Sequence, residues 1–219
     1  KEMKDVYLVI DRTNWELGKK SINVLCLGII LPGHKVYIPI IWTQIDKSGG
    51  NSNQQERIEL LSEFLGLWED IIDKKTILLG DREFIGEKWY EEMKLKGIDF
   101  VIRMKECDCI SELTKQMNKG KKQVEKMIEN SIKKTGFFRF EFEQDNSKFV
   151  IVVIRNQKPQ RGDENIYLTS SMVNESSEFI SESYKLRWKI EVFFKHVKMN
   201  GFNLEDMNLT DDSKIEIMV

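Results

Sequence analysis

The feature that most constrains the fold is a pair of apolar, strand-like runs, each closed by an aspartate. Val6-Tyr7-Leu8-Val9-Ile10 stops at Asp11, and Thr76-Ile77-Leu78-Leu79-Gly80 stops at Asp81. Short apolar runs of this kind suit buried strands. A carboxylate at the C-terminal end of such a strand stands where open α/β sheets present their ligands. For either aspartate alone a simpler role stays open, as the start of a turn or the cap of the next helix.

The segments around these runs set the order of elements. Residues 22–31 form a second strand pattern, closed by the turn Pro32-Gly33-His34, and residues 35–42 form a third, in which Pro39 marks an edge or a bulge. A polar loop over 47–53 ends in helix-capping residues, and Ile58, Leu60, Leu61, Phe64, Leu65 and Trp68 then recur at helical spacing over 54–69. A helix over 87–96 and a strand over 98–103 follow the strand at 76–80. Three antiparallel strands, a helix, a central strand, a helix and another strand are the order of an RNase H-like fold. Residues 104–135 are lysine-rich and weakly periodic, and 137–142, 149–155 and 166–169 alternate like antiparallel strands. The longest helical pattern of the chain covers 177–199. The expected architecture is α/β: an RNase H-like mixed sheet flanked by helices, with a β-rich insertion before the last helix. The expected division is a first part of the core at 5–103, the insertion at 104–172, and the last helix with a truncated C-terminal segment at 173–219.

Composition narrows the function classes. The 219 residues carry 34 Lys plus Arg against 36 Asp plus Glu, a formal charge of −2, which argues against a polycation that coats nucleic acid without specificity. It leaves room for a nucleic-acid enzyme with locally segregated charge. With 41% hydrophobic and 32% charged residues the chain is foldable rather than disordered. No apolar run approaches the ~18 residues of a membrane span, and the N-terminus has no signal-peptide pattern. Cys26, Cys107 and Cys109 make no disulfide framework, which fits a reducing cytoplasm. Cys107-x-Cys109 lacks the second pair that a zinc site needs. Eight basic residues against two acids over 115–139 read either as a DNA-backbone patch or as a solvated face.

A third acid joins the two aspartates on the last helix. At about 100° per residue, Tyr184, Arg187, Glu191 and Lys198 share one narrow stripe, beside an apolar face of Leu186, Ile190, Phe193, Phe194 and Val197. An i,i+4 salt bridge between Arg187 and Glu191 on a solvated face is one reading of that stripe. The other is chemical. Between 184 and 199 five basic residues surround a single acid, Glu191, as expected of a metal ligand beside a polyanion. Asp11, Asp81 and Glu191 together supply hard oxygen donors for two Mg²⁺ ions, roughly 3.5–4 Å apart, with Mn²⁺ as a substitute. Arg187 and Lys198 suit phosphate oxygens, and Tyr184 suits a hydrogen bond to the same backbone.

Tyr184-x2-Arg187-x3-Glu191-x6-Lys198 resembles, position for position, the Y-R-E-K signature of bacterial insertion-sequence transposases of the type-four DDE group, within the RNase H-like and retroviral-integrase superfamily. Asp81-Arg82-Glu83-Phe84 is similar to the motif around that family's second aspartate, and Ile10-Asp11-Arg12-Thr13 falls where it has its first. The resemblance implies metal-dependent cleavage of double-stranded DNA at transposon ends, transfer of the strand to target DNA, and a homodimer in the synaptic complex. It assigns the metal to Asp11, Asp81 and Glu191, and the DNA backbone to Tyr184, Arg187 and Lys198. Two departures stand out. The tryptophans (Trp15, Trp42, Trp68, Trp89, Trp188) all lie outside the insertion, where some relatives stack one on a flipped base. Phe137, Phe138 and Phe140 suit sheet core better than stacking, and Trp188 reads as a packing residue. The chain also starts without Met and ends at Ile217-Met218-Val219, as expected of a catalytic core cut from a longer transposase. An inactive remnant and an RNase H-like nuclease outside transposition are the competing expectations.

Overall fold

A computed structural model describes residues 5–17, 20–31, 36–45, 50–68, 75–157, 159 and 163–201. The chain opens on three antiparallel strands, β1 (Asp5–Leu17), β2 (Lys20–Leu31) and β3 (Val36–Gln44). Helix α1 (Gln54–Leu67), strand β4 (Lys75–Gly80), helix α2 (Glu87–Leu95) and strand β5 (Asp99–Met104) follow. The next elements are α3 (Glu106–Met117), α4 (Lys121–Thr135), β6 (Phe137–Gln144), β7 (Ser147–Arg155) and β8 (Asn165–Ser170). Helices α5 (Ser177–Lys185) and α6 (Trp188–Lys195) and a π-helical turn (His196–Gly201) close the described chain. This is the α/β, RNase H-like element order that the sequence led us to expect. The turn expected at Pro32-Gly33-His34 and the stretch after residue 201 lie outside the described residues.

The described residues group into two units: one from Lys1–Leu78, Gly86–Ile98 and Leu186–Val219, the other from Leu79–Ile85 and Asp99–Lys185. In the first, the strands run in the order β3-β2-β1-β4. Leu8, Val9 and Ile10 are all fully buried, so β1 is covered on both faces, as its unbroken apolar run requires. The register between β2 and β3 shifts at Leu27/Gly28, opposite Pro39, so the bulge and the edge position that Pro39 suggested are both present. Gly28 is needed there because a Cβ would meet the Ile38 carbonyl at 2.3 Å and the Tyr37 ring at 2.6 Å. Helix α1 starts at a capping box: the Asn53 side chain accepts from Glu56 N–H, and Glu56 returns a bond to Asn53 N–H. Such a cap contributes about 1 kcal/mol, and the helix buries Leu60, Leu61, Phe64 and Leu65. Helix α6 packs on β1 and β3, with Ile190 fully buried and the Phe193 ring 5.3 Å from Tyr37.

In the second unit the antiparallel order is β5-β8-β7-β6. Its core joins Cys109, Ile110 and Leu113 of α3, Val124, Ile128 and Ile132 of α4, and Phe138, Ile151, Val153 and Tyr167 of the strands. The start of the segment expected to be β-rich is therefore a helix pair. Apolar residues at 124, 128 and 132 form an i,i+4 ladder, and it is this spacing that decides for helix. Lysines fill the remaining faces and dilute the signal when the stretch is read without its partner strands. Gly136, at φ +87°, closes α4 in the left-handed conformation and leads straight into β6.

The last helix departs from its sequence pattern. Helical bonding breaks at Leu186–Arg187, where Lys189 and Ile190 N–H donate to carbonyls three residues back. It breaks again at His196, where the winding becomes π-helical. A single wheel over 177–199 therefore does not describe these residues, and Tyr184 belongs to the other unit from Arg187.

Candidate active site

The first unit brings Asp11, Arg187 and Glu191 together. Asp11 Oδ2 accepts a bond from Arg187 Nη1 at 2.8 Å, while its Oδ1 accepts the Arg12 backbone N–H at 2.9 Å. Arg187 Nη2 donates to Glu191 Oε1, so one guanidinium bridges two carboxylates. The arrangement is sheltered: the side chains are 8% exposed for Arg187, 16% for Asp11 and 35% for Glu191. Charge-assisted bonds in such surroundings are strong, and each partner left alone would be costly. The salt-bridge reading of the Arg187–Glu191 pair thus describes a real contact, but one that reaches inward to β1 rather than lying on a solvated face.

Asp11 is not at the end of its strand. β1 runs on to Leu17, and Asp11 pairs with Cys26 of β2 in the middle of the ladder. The run Thr13-Asn14-Trp15-Glu16 alternates buried and exposed and so continues the strand with period two beyond the aspartate. Directly paired residues share a face, and the Cys26 thiol there is pushed up to about 11 by burial, despite a contact with the Tyr37 hydroxyl at 3.2 Å. Tyr37 is raised as well, chiefly by burial.

Lys198 also returns to β1. Its Nζ donates to the Asn14 carbonyl at 2.5 Å and lies 5.9 Å from the centre of the Trp15 ring. Trp188, expected to pack, is 62% exposed. In α6 the buried stripe is carried by Ile190, and Trp188 falls on the opposite side.

The second unit holds Asp81 and Tyr184. Asp81 follows β4 directly, as expected, and its carbonyl accepts Phe84 N–H at 2.9 Å in a tight turn. Tyr184 is buried in α5. Beside Asp81 in sequence, Arg82 makes a pair that sequence reasoning missed. Arg82 Nη2 donates to both oxygens of Asp163, at 2.9 and 2.7 Å, and Arg103 Nη2 adds a third bond at 3.1 Å. The Arg82 hydrogen bond, with Arg103 behind it, holds the Asp163 carboxyl below its ordinary range. Asp163 stands in the polar β7–β8 connection, where no periodic pattern announces a partner. Of the basic residues over 115–139, Arg139 is used internally, donating to the carbonyls of Val173 and Glu175. The cysteines are free, with Cys107 exposed and Cys109 buried.

The family model of the transposase DDE domain matches residues 3–219. The chain belongs to the transposase DDE domain family. Among the curated proteins none matches it. Among solved structures, this transposase-family chain is similar to the simian T-cell lymphotropic virus intasome in complex with a PP2A regulatory subunit, at 8% identity, covering 59% of this chain and 41% of that one, with a TM-score of 0.32. The Marinitoga piezophila Argonaute in complex with guide RNA matches at 11% identity over 94% of this chain and 31% of its own, with a TM-score of 0.41. The Ciona intestinalis endonuclease V in complex with inosine-containing DNA matches at 12% identity over 75% and 70%, with a TM-score of 0.40. The chain thus spans less than half of the first two.

The donor chemistry of this transposase-family site fits a hard divalent cation. Two carboxylates already converge on one positive group, and they offer oxygen donors, the ligands Mg²⁺ prefers. Among the described residues no group of three His, Cys, Asp or Glu stands together as a ready-made metal cluster. No described helix is long and apolar enough to cross a membrane.

Proposed function

We propose that this domain performs metal-dependent cleavage and strand transfer of double-stranded DNA at insertion-sequence ends, as a transposase of the type-four, Y-R-E-K group. The observation that carries the reading is Arg187 bridging Asp11 and Glu191: residues far apart in sequence, and each part of the family pattern, meet on one cation. Asp11, Asp81 and Glu191 would hold Mg²⁺ or Mn²⁺, which supplies Lewis-acid activation of the attacking oxygen and stabilisation of the leaving one. The chain's own groups do the remaining work. Asp11 is held by the ladder of β1 and by the Arg12 N–H, so its carboxylate is oriented before any substrate arrives. Arg187 and Lys198 would take phosphate oxygens, Arg187 through its planar fork and Lys198 as a point charge steadied on β1. Tyr184 would hydrogen-bond the DNA backbone, residues 104–172 form the insertion that this group places before its glutamate, and a homodimer assembles the synaptic complex in the cytoplasm.

The test is nicking of an insertion-end duplex with Mg²⁺ or Mn²⁺. Asp11→Asn, Asp81→Asn and Glu191→Gln are each expected to abolish nicking while circular dichroism stays unchanged. Full nicking by any one of the three would overturn the assignment of that ligand.

A further inference from the structure

We propose that Arg187 is the built-in counter-cation of this site, and that a divalent metal enters by exchange with it, so that metal binding and release of the Arg187 guanidinium are a single event. The proposal rests on the reading of Asp11 and Glu191 as metal ligands. Its starting point is geometric. The guanidinium sits on Asp11 Oδ2 and Glu191 Oε1 at once, and at 8% exposure it is shielded from the water that would otherwise screen it. Two carboxylates held side by side repel each other strongly where the effective dielectric is low. Arg187 offsets that repulsion and leaves the trio with one net negative charge.

A divalent ion that takes the same two oxygens with Arg187 still in place would face a guanidinium across them. Two positive groups that close in a sheltered site repel each other, and that repulsion favours exchange over addition. The other Asp11 oxygen accepts the Arg12 N–H, so both oxygens of this carboxylate are engaged in the metal-free protein. Release costs two charge-assisted bonds, which the incoming metal replaces at both carboxylates. Arg187 stands at the N-terminal boundary of α6, where the backbone ladder of the helix is already interrupted. Once released, the same fork is available to phosphate, so that metal and DNA backbone would bind with positive coupling.

The experiment is Mn²⁺ titration of the DNA-free protein, followed by electron paramagnetic resonance, in wild type, Arg187→Gln, Asp11→Asn and Glu191→Gln. Exchange predicts that Arg187→Gln binds Mn²⁺ roughly tenfold more tightly than wild type, within the range of ordinary site–site coupling. It also predicts a lower Tm for the metal-free variant and a larger Mn²⁺-induced rise in Tm. Equal or weaker Mn²⁺ binding by Arg187→Gln, with wild-type binding still lost in Asp11→Asn, overturns the exchange and leaves the metal ligands standing. Mn²⁺ binding that survives both Asp11→Asn and Glu191→Gln overturns the ligand assignment instead, and the exchange with it. Should Arg187→Gln fail to fold, the wild type decides by nitrogen-15 NMR of its arginine side chains. Exchange requires the Arg187 Nε–H signal to shift or broaden as Mg²⁺ is added, and a signal indifferent to saturating Mg²⁺ overturns it.

Discussion

The two units solve the same electrostatic problem with opposite signs. In the first, one arginine stands between two carboxylates, Asp11 and Glu191; in the second, one carboxylate, Asp163, stands between two arginines, Arg82 and Arg103. The first trio is left with negative charge and its guanidinium is nearly covered. The second is left with positive charge, and Arg82 and Asp163 are each about one-third exposed, at 34% and 36%. Burial of its guanidinium makes the first arrangement costly to break, because removing one partner leaves a sheltered charge uncompensated. Exposure makes the second a fastening, of a kind usually worth little by itself. The inventories mirror each other, and the depth of the central group is what separates them, with Arg187 8% exposed against 36% for Asp163.

The comparison is broken most severely at the buried trio. Replacing Asp11 by Asn should lower metal-dependent nicking by about three orders of magnitude, equivalent to roughly 4 kcal/mol of transition-state stabilisation, with the loss read from single-turnover rates. Asp163→Asn should leave most nicking intact; a loss as large as that of Asp11→Asn would erase the distinction between the two trios. The next largest effect is on folding. Ile190→Ala removes the fully buried anchor of α6 beneath Arg187 and should cost about 2–5 kcal/mol in urea denaturation, with the midpoint shifting at constant m-value.

The pH dependence of the exposed trio comes third. Because Arg82 holds the folded-state pKa of Asp163 below its ordinary value of 3.8, the ion pair contributes stability above that value and loses it as pH falls through the lower, folded pKa. Wild type should therefore lose its margin over Asp163→Asn as pH drops below about 4, a difference of about 1 kcal/mol or less measured by thermal unfolding across that range. The smallest effect is expected at Lys198. Lys198→Ala should weaken binding of an insertion-end duplex and reduce the slope of log affinity against log salt by about one. An unchanged slope would remove Lys198 from the phosphate contacts.

Much of the frame was legible because it rests on short-range pattern. The unbroken apolar runs of β1 and β4, the Asn53–Glu56 capping box and the alternating phenylalanines of β6 each report on neighbours in sequence. Position 81 was readable for the same reason, since a strand and its turn are local. What was hidden is long-range or depends on bending. That β1 continues past Asp11 is written in Thr13-Asn14-Trp15-Glu16, but the polar members of that run masked the alternation. The α3–α4 pair shows its apolar ladder clearly only once β6–β8 supply a surface to bury it. The wheel that aligned Tyr184, Arg187, Glu191 and Lys198 assumed one straight helix, whereas bonding is interrupted at Leu186 and widens after Lys195. Asp163 could not be matched with Arg82 and Arg103 by any local rule, because one partner comes from the turn after β4 and the other from β5, both far away in sequence.

The bulge beside Pro39 has a bearing on how copies of this chain meet. β3 is the outer strand of its unit, and an outer strand with a regular row of unpaired amides invites another chain to extend the sheet. Pro39 withholds a donor from that row, and the register shift at Leu27/Gly28 twists it out of line. Strand-to-strand polymerisation is thereby discouraged on this side, and any pairing of copies there is left to side chains, where it can be made conditional on the right partner.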